Sequence, residues 1–353
     1  MSARDRLRPH RRVRDTLITV ERMAPDGSRT MTADVETVRD ARLRRFRPSD
    51  LVGRYIAYAA LLVLIIFFGA MAPNIFLTRS NFAVILQNSA VQCVVAIGMT
   101  FVIIIGSIDL SVGSTMALVG TLSALASHQI GGAAFFLTPV LGAVVGLVNA
   151  VVFVYGRIPS FVVTLGMLSV ARGLVLIIGR GWPVPIPFHG LYADVGIPPV
   201  PIYIVLGLAL IASFVLMKLA FGRYVYAIGG DEDKSRELGL PVDRVKLLVF
   251  VISGALAGLG GGMVTSEIGS GSPTVGTGFE LTAISAVVIG GTSLTGGRGS
   301  ILGTIVGSLV MSTLANGLII IGVETNVQIV LTGVVLVGAV LLSIQRGKLK
   351  FMK

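Results

Sequence analysis

From Tyr55 onward the chain alternates long apolar runs with short polar breaks, and the runs show no two-residue alternation. A run of roughly 20 apolar residues is long enough to cross a bilayer as a helix. Inside lipid every backbone N–H and C=O must be paired within the segment, so such runs are helical. A β-barrel would show short alternating segments instead. Ten membrane segments are expected, near 55–73, 82–106, 110–127, 133–154, 160–178, 200–220, 245–267, 279–291, 300–322 and 326–344. The second is expected to be interrupted at Gln87-Asn88-Ser89. The eighth is short and ends in glycines. The expected fold class is an all-α polytopic membrane protein.

Composition agrees with that reading. Hydrophobic residues make up 54% of the 353 residues and charged residues 13%, against about a quarter charged in an average soluble domain. Fourteen of the 29 Lys and Arg residues and eight of the 18 acidic ones lie before Tyr55. Residues 1–48 are expected to form a disordered, basic cytosolic arm, which would anchor topology near anionic lipid. No cleavable signal is expected there, since the first apolar run lies far from Met1 and is long enough to span. The net charge of +11 fits basic cytosolic loops better than a nucleic-acid site.

Charge also orients the bundle, because cytoplasmic loops carry the excess of Lys and Arg. Three regions are basic: the N-terminal arm, the 218–246 loop, and a tail over 346–353 with Arg346, Lys348, Lys350 and Lys353. Six segments separate the first from the second and four the second from the third, so both termini fall in the cytosol. Arg157 and Arg298 also fall inside, the 179–199 loop falls outside, and Arg79 is an exception. Segments 2–5 and 7–10 then start from opposite sides, the pattern of inverted repeats. Gly106-Ser-Ile-Asp-Leu-Ser-Val-Gly-Ser114 faintly echoes Gly291-Thr-Ser-Leu-Thr-Gly-Gly-Arg-Gly-Ser300. Gly142 with Gly146, Gly254 with Gly258 and Gly262, and Gly303 with Gly307 are spaced for close helix contact.

Several chemistries are disfavoured. Cys93 is the one cysteine, so no disulfide framework is expected. His10, His128 and His189 form no ligand pattern, and no nucleophile–base constellation appears. Gly291-Thr-Ser-Leu-Thr-Gly296 has the glycine spacing of a phosphate-binding loop. Gly297 stands where its Lys belongs and Arg298 where its Ser or Thr belongs. No cofactor, metal or catalytic site is therefore expected in this chain.

The 221–246 loop carries the clearest local signal. Gly229 and Gly230 should break the preceding structure, and Asp231 can cap a helix N-terminus, followed by Glu232 and Asp233 at the positive end of its dipole. Gly239 stops that helix and Pro241 prevents its continuation. So short a helix is marginal alone in water. It is either a surface linker or a docking element, and Lys234, Arg236, Glu237 and Leu238 are its candidate contact residues.

Ionisable groups in or beside the membrane are Asp109, Arg172, Glu267, Glu280 and Glu324, and such groups are functional candidates. Asp109 lies in a break and could pair with Arg172, cap the next helix or face the pathway. Glu280 begins segment eight. Gln87, Asn88, Ser89, Gln92, Ser111, Asn149, Thr164 and Asn316 are polar candidates for a solute pathway, each with interhelical hydrogen bonding as the alternative. Trp182, Phe188 and His189 sit in a proline-stiffened outer loop, either as a protein contact or as interfacial anchors.

Gly222-Arg-Tyr-Val-Tyr-Ala-Ile-Gly-Gly230, followed by a short helix and Gly239-Leu-Pro241, resembles the coupling loop of ribose/xylose/galactose-type permeases of bacterial ABC sugar importers, in the branched-chain amino acid/sugar permease superfamily. The resemblance continues through Ala96-Ile-Gly-Met-Thr100, Ile108-Asp-Leu-Ser-Val-Gly113, Gly156-Arg-Ile-Pro-Ser-Phe161, Thr164-Leu165, Arg172-Gly173, Pro273-Thr-Val-Gly-Thr-Gly-Phe-Glu-Leu281, Gly290-Gly-Thr-Ser-Leu-Thr-Gly-Gly-Arg-Gly299 and Asn316-Gly317. Asp231 stands where many relatives have Asn. The resemblance implies a type II ABC importer-like bundle over 49–345, working as a pair of permeases, identical or paralogous. Its expected partners are a separate ATPase subunit that binds ATP and Mg, a periplasmic or lipid-anchored sugar-binding protein, and the lipid bilayer of the cytoplasmic membrane. The rival expectation is an ion-coupled secondary transporter using Asp109 or Glu280.

Overall fold

The computed structural model describes residues 48–187 and 189–348, with side chains over 57–187 and 189–341. The expected arm, apart from Pro48, lies outside the described residues, as do Phe188 and the tail beyond Lys348.

The described chain is built from helices α1 (Pro48–Met71), α2 (Pro73–Phe76), α3 (Arg79–Ile104), α4 (Val112–Ile130), α5 (Leu137–Gly156), α6 (Ser160–Ile178), α7 (Leu191–Val195), α8 (Val200–Lys218), α9 (Ala220–Gly230), α10 (Glu232–Glu237), α11 (Val242–Ile268), α12 (Phe279–Ile289), α13 (Ile301–Ile320) and α14 (Thr325–Lys348). Among the described residues six helical stretches are long and apolar enough to cross a membrane, and one of them, Val112–Gly156, holds both α4 and α5. A 3-10 segment over Gly131–Phe136 joins that pair.

Helix α3 is the axis of the bundle. Val94, Val95, Ala96, Ile97 and Met99 are at most 1% exposed, and the helix touches α8, α11, α12 and α13. It runs unbroken through Gln87-Asn88-Ser89, which corrects the expected interruption. Gln87 bonds outside the helix, to the Gly196 carbonyl and Glu267, and Ser89 Oγ donates to the Leu86 carbonyl of its own helix, so the backbone ladder need not open. By contrast α8 turns Leu206, Leu210, Phe214 and Met217 outward, each more than half exposed. They stand at helical spacing on one apolar face, the surface a lipid-facing helix presents.

Apolar side chains gain nothing by leaving lipid for each other, so close packing holds such helices together. The Gly142–Gly146 edge of α5 lies directly on Gly254 and Gly258 of α11, and a methyl added to Gly142 would stand 2.1 Å from the Gly254 carbonyl. The small residues that share one face in sequence thus meet one another across a single crossing.

Two non-helical stretches enter the bundle from opposite ends. The first, 105–111, returns from the end of α3, where Gly297 N–H donates to the Ile104 carbonyl at 2.8 Å. The second, 269–278, returns from the far end of α11. The second stretch meets the first turn of α4, which follows the first stretch, at Gly276 and Gly113, where the Cβ missing from either would lie within 2.2 Å of the other's carbonyl oxygen. The helices that follow, α4 and α12, therefore start near one another inside the bundle.

The fold is not purely helical. Val184–Pro185 (β1) pairs antiparallel with Ser270–Gly271 (β2). The apolar pattern of 181–190 hid this, because each strand is two residues long. A second correction concerns the polar loop: the stretch before Asp231 is helix α9, which ends at Gly229 and Gly230. That 11-residue helix buries Val225 and Ile228, so the expected loop is largely helical.

Candidate functional site

The sequence-expected polar residues resolve into two groups inside the bundle and one outside it. The first lies at the start of α4. Asp109 is 1% exposed. Its carboxylate accepts from Ser111 N–H at 3.0 Å, Ser111 Oγ at 2.7 Å and, across to α11, Ser253 Oγ at 2.9 Å. Asn149 Nδ2 donates to Ser111 Oγ at 2.9 Å, and Leu110 N–H donates to Thr164 Oγ1 at 3.0 Å. Four candidates, Asp109, Ser111, Asn149 and Thr164, therefore form one network that ties the 105–111 stretch to α5, α6 and α11. Three donors on a buried carboxylate satisfy it as a positioning group. Arg172 does not pair with it; its guanidinium donates to the carbonyls of Pro273 and Val275 in the other re-entrant stretch. Glu280, half-buried in the first turn of α12, sets its Oε2 beside Gly113.

The second group lines a pocket of about 350 Å³ between α3, α11, α12, α13 and α14. Asn88, Gln92 and Asn316 are brought together there, with Phe279, Ser312 and Gln328. Gln92 is 5% and Asn316 7% exposed. Ser312 Oγ donates to Gln92 Oε1 at 2.8 Å. Among the described residues, Gln92 Nε2 and Asn316 Oδ1 have no hydrogen-bond partner. Gln87 lies one turn away, donating to the Gly196 carbonyl at 3.2 Å and to Glu267 Oε1 at 3.3 Å. Glu267 lines the pocket as the penultimate residue of α11, so the pocket sits at the end of the bundle away from α10. Ser312 and Gln328 were missed by sequence reading. The i, i+4 spacing of Ser312 with Asn316, matching Asn88 with Gln92, is the signal that could have found the first.

The third group is the polar loop. Asp231 is the N-cap of α10, accepting from Lys234 N–H at 3.0 Å, and its carboxylate pairs with Lys234 Nζ at 2.8 Å. The Lys234 contacts hold the Asp231 carboxyl below the usual carboxylate range. Arg236 reaches Asp243 at 2.8 Å and Glu232 at 3.3 Å, and Lys246 reaches Glu232 at 2.6 Å. Leu240 N–H returns to the Ser235 carbonyl at 3.0 Å while Gly239 takes φ +77°, a left-handed helix stop that favours glycine. Pro241 then precedes α11. Glu237 is exposed, and Leu238 is 80% exposed. The other face of this unit is fastened to the bundle: Tyr226 Oη donates to the Gly299 carbonyl at 2.8 Å, and Gly229 lies against Ile104 and Gly297.

At the opposite end, Trp182 is 76% exposed and His189 is exposed. The same loop is anchored by β1 and by Ile186 N–H, which donates to the Gly269 carbonyl at 3.0 Å. Among the described residues no three His, Cys, Asp or Glu side chains converge as a metal site.

Comparison with known proteins places this architecture. The model for the branched-chain amino acid transport system / permease component family matches residues 81–340. The chain belongs to that family. It is a multi-pass membrane protein of the transport-permease type. It is 40% identical over 296 residues to the ribose import permease protein RbsC of Escherichia coli K12, covering 80% of this chain and 91% of the relative. The D-allose transport system permease protein AlsC of the same organism is 35% identical over 299 residues, 82% of this chain and 91% of the relative. Its xylose transport system permease protein XylH is 31% identical over 354 residues, 81% and 90%. No solved structure matches the chain. The family match over 81–340 spans the re-entrant stretches, the pocket and the α9–α10 loop of this chain.

Proposed function

We propose that this chain is the permease subunit of an ATP-driven importer of a monosaccharide or a related polyol or furanose. It forms a ten-crossing pathway in the cytoplasmic membrane with both ends in the cytosol, and it works by alternating access. The observation that carries the reading is its similarity over four fifths of its length to ribose, allose and xylose transport permeases.

The geometry supports the division of labour. A capped helix with a bare leucine at its end suits the groove of a separate ATPase subunit, which binds ATP and Mg. Residues 229–241 are the coupling element. A periplasmic or lipid-anchored sugar-binding protein engages the Trp182–His189 loop, and a second permease copy completes the pathway. Inverted repeats are supported by the two stretches that enter from opposite ends and bring Gly113 and Gly276 together. Broken helices that meet inside a bundle are a recurring transporter device. The donors gathered on Asp109 favour a positioning role over ion coupling.

Uptake into proteoliposomes holding the assembled complex tests this. Accumulation of D-ribose, D-allose or D-xylose should require ATP on the cytosolic side and survive collapse of proton and sodium gradients. Uptake without ATP that vanishes with the gradient would overturn it.

A further inference from the structure

We infer that the pocket between α3, α12, α13 and α14 is a binding station for a neutral, polyhydroxylated ring, with Gln92 and Asn316 as its hydrogen-bonding contacts and Phe279 as its apolar wall. The inference rests on the importer reading above and names where in this chain the solute is held.

The argument starts from polar bookkeeping. A buried amide end without a partner is costly, and native interiors leave few of them. Here two residues that line one pocket, on neighbouring helices, carry such buried ends: Gln92 Nε2, a donor, and Asn316 Oδ1, an acceptor. An anion would satisfy the first and not the second, and a cation the reverse. A hydroxyl both donates and accepts, so a ring carrying several hydroxyls meets both demands at once. Exchanging O and N within either amide changes which end is open but leaves the demand for both senses. Ser312 already holds the other end of Gln92 at 2.8 Å, so that side chain is oriented before any solute arrives. Asn88 and Gln328 add further amides at the wall.

Size and surroundings agree. About 350 Å³ falls in the range of small-molecule sites, which pair apolar walls with a few polar groups. Phe279 lies in the first turn of α12, so its ring is placed by the backbone that begins beside Gly113. The pocket is therefore built partly on the re-entrant segment, and its shape changes if that segment moves.

Cysteine protection in the assembled complex tests the site. The probe is whichever of D-ribose, D-allose and D-xylose the complex accumulates with ATP. In a Cys93→Ser background, Ala315→Cys places an exposed thiol on the pocket wall, and Lys218→Cys, at an exposed position outside the pocket, serves as a control. At a probe concentration ten times its dissociation constant, maleimide labelling at position 315 should slow by about ten-fold, with position 218 unchanged. Gln92→Leu and Asn316→Leu should each lower uptake by about ten-fold, the equivalent of one hydrogen bond of about 1.4 kcal/mol. Should either variant fail to assemble, the labelling result decides alone. Labelling unaffected by a sugar that the complex imports overturns the pocket and leaves the importer standing. Failure to import any sugar of the panel overturns the assignment of these three sugars as its solutes, and the pocket for them with it.

Discussion

Gly229 lies so close to Ile104 that a methyl group on Gly229 would stand 1.7 Å from the Ile104 carbonyl oxygen. The last turn of α9 is thereby seated on the point where α3 ends and the 105–111 stretch begins. Gly297 N–H donates to the same carbonyl. The end of α9, the end of α3 and Gly297 share one contact.

Gly229→Ala is expected to destabilise the permease by about 1–3 kcal/mol, the usual cost of overpacking. Gly230→Ala is the matched control, because nothing lies within 4 Å of its added methyl. It should be neutral or slightly stabilising, since alanine costs less entropy to fix in a helix. Thermal unfolding of the two detergent-solubilised variants, followed by size-exclusion profile, makes the comparison. Equal melting temperatures would falsify the contact.

Leu238→Glu is expected to leave the permease's own thermal stability unchanged, since the side chain is 80% exposed. It should weaken co-purification with the ATPase subunit and uncouple ATP hydrolysis from uptake. Undiminished co-purification and transport would remove α10 from the docking surface.

Arg172→Ala should loosen the 272–278 stretch, because the guanidinium holds the carbonyls of Pro273 and Val275. Arg172→Lys should recover only part of the effect, as an ammonium lacks the planar fork that reaches two acceptors. Hydrogen exchange across 273–282 is the readout, with faster exchange in the order Arg, Lys, Ala. Exchange with Lys equal to that with Arg would show that the charge alone is responsible.

The cap on α10 has a defined pH range. Folding lowers the Asp231 carboxyl relative to its free value, chiefly through Lys234. The stabilisation is therefore full above the unfolded carboxylate value of about 3.9 and fades as pH falls through the lower folded one. Amide protection at Lys234 and Ser235, corrected for intrinsic exchange, should be level from neutral pH down to about 5. Asp231→Asn should keep the cap and lose only the ion pair, a small effect that salt removes. Loss of protection already near neutral pH would assign the cap to another group.

Much of this was legible in the sequence, and the exceptions have physical reasons. Each apolar run lies on a helix, because an apolar run of that length has one way to pair its backbone. The Asp231 cap and the Gly239 stop were legible because both are local, set by side chains and φ within a turn. Asp109 was seen to be special, but its partner Ser253 lies 144 residues away, and no local pattern reports that. Helix α9 was taken for loop because its glycines sit at its end, not its middle. The pocket was half visible: the amides of Asn88, Gln92 and Asn316 stood out against apolar runs. Ser312 and Thr332 did not, since a hydroxyl residue in a membrane helix more often bonds its own backbone, as Thr332 does to Gln328.

The two-residue ladder between Val184–Pro185 and Ser270–Gly271 ties the Trp182 loop to the chain that enters the bundle. Ser270 and Gly271 belong to the strand of chain that leads directly to Gly276, where the two halves touch. Whatever presses on the Trp182 loop therefore pulls on a tether six residues or fewer from the middle of the bundle. A delivery protein seated there would be felt at the junction itself, before any solute had left its grasp.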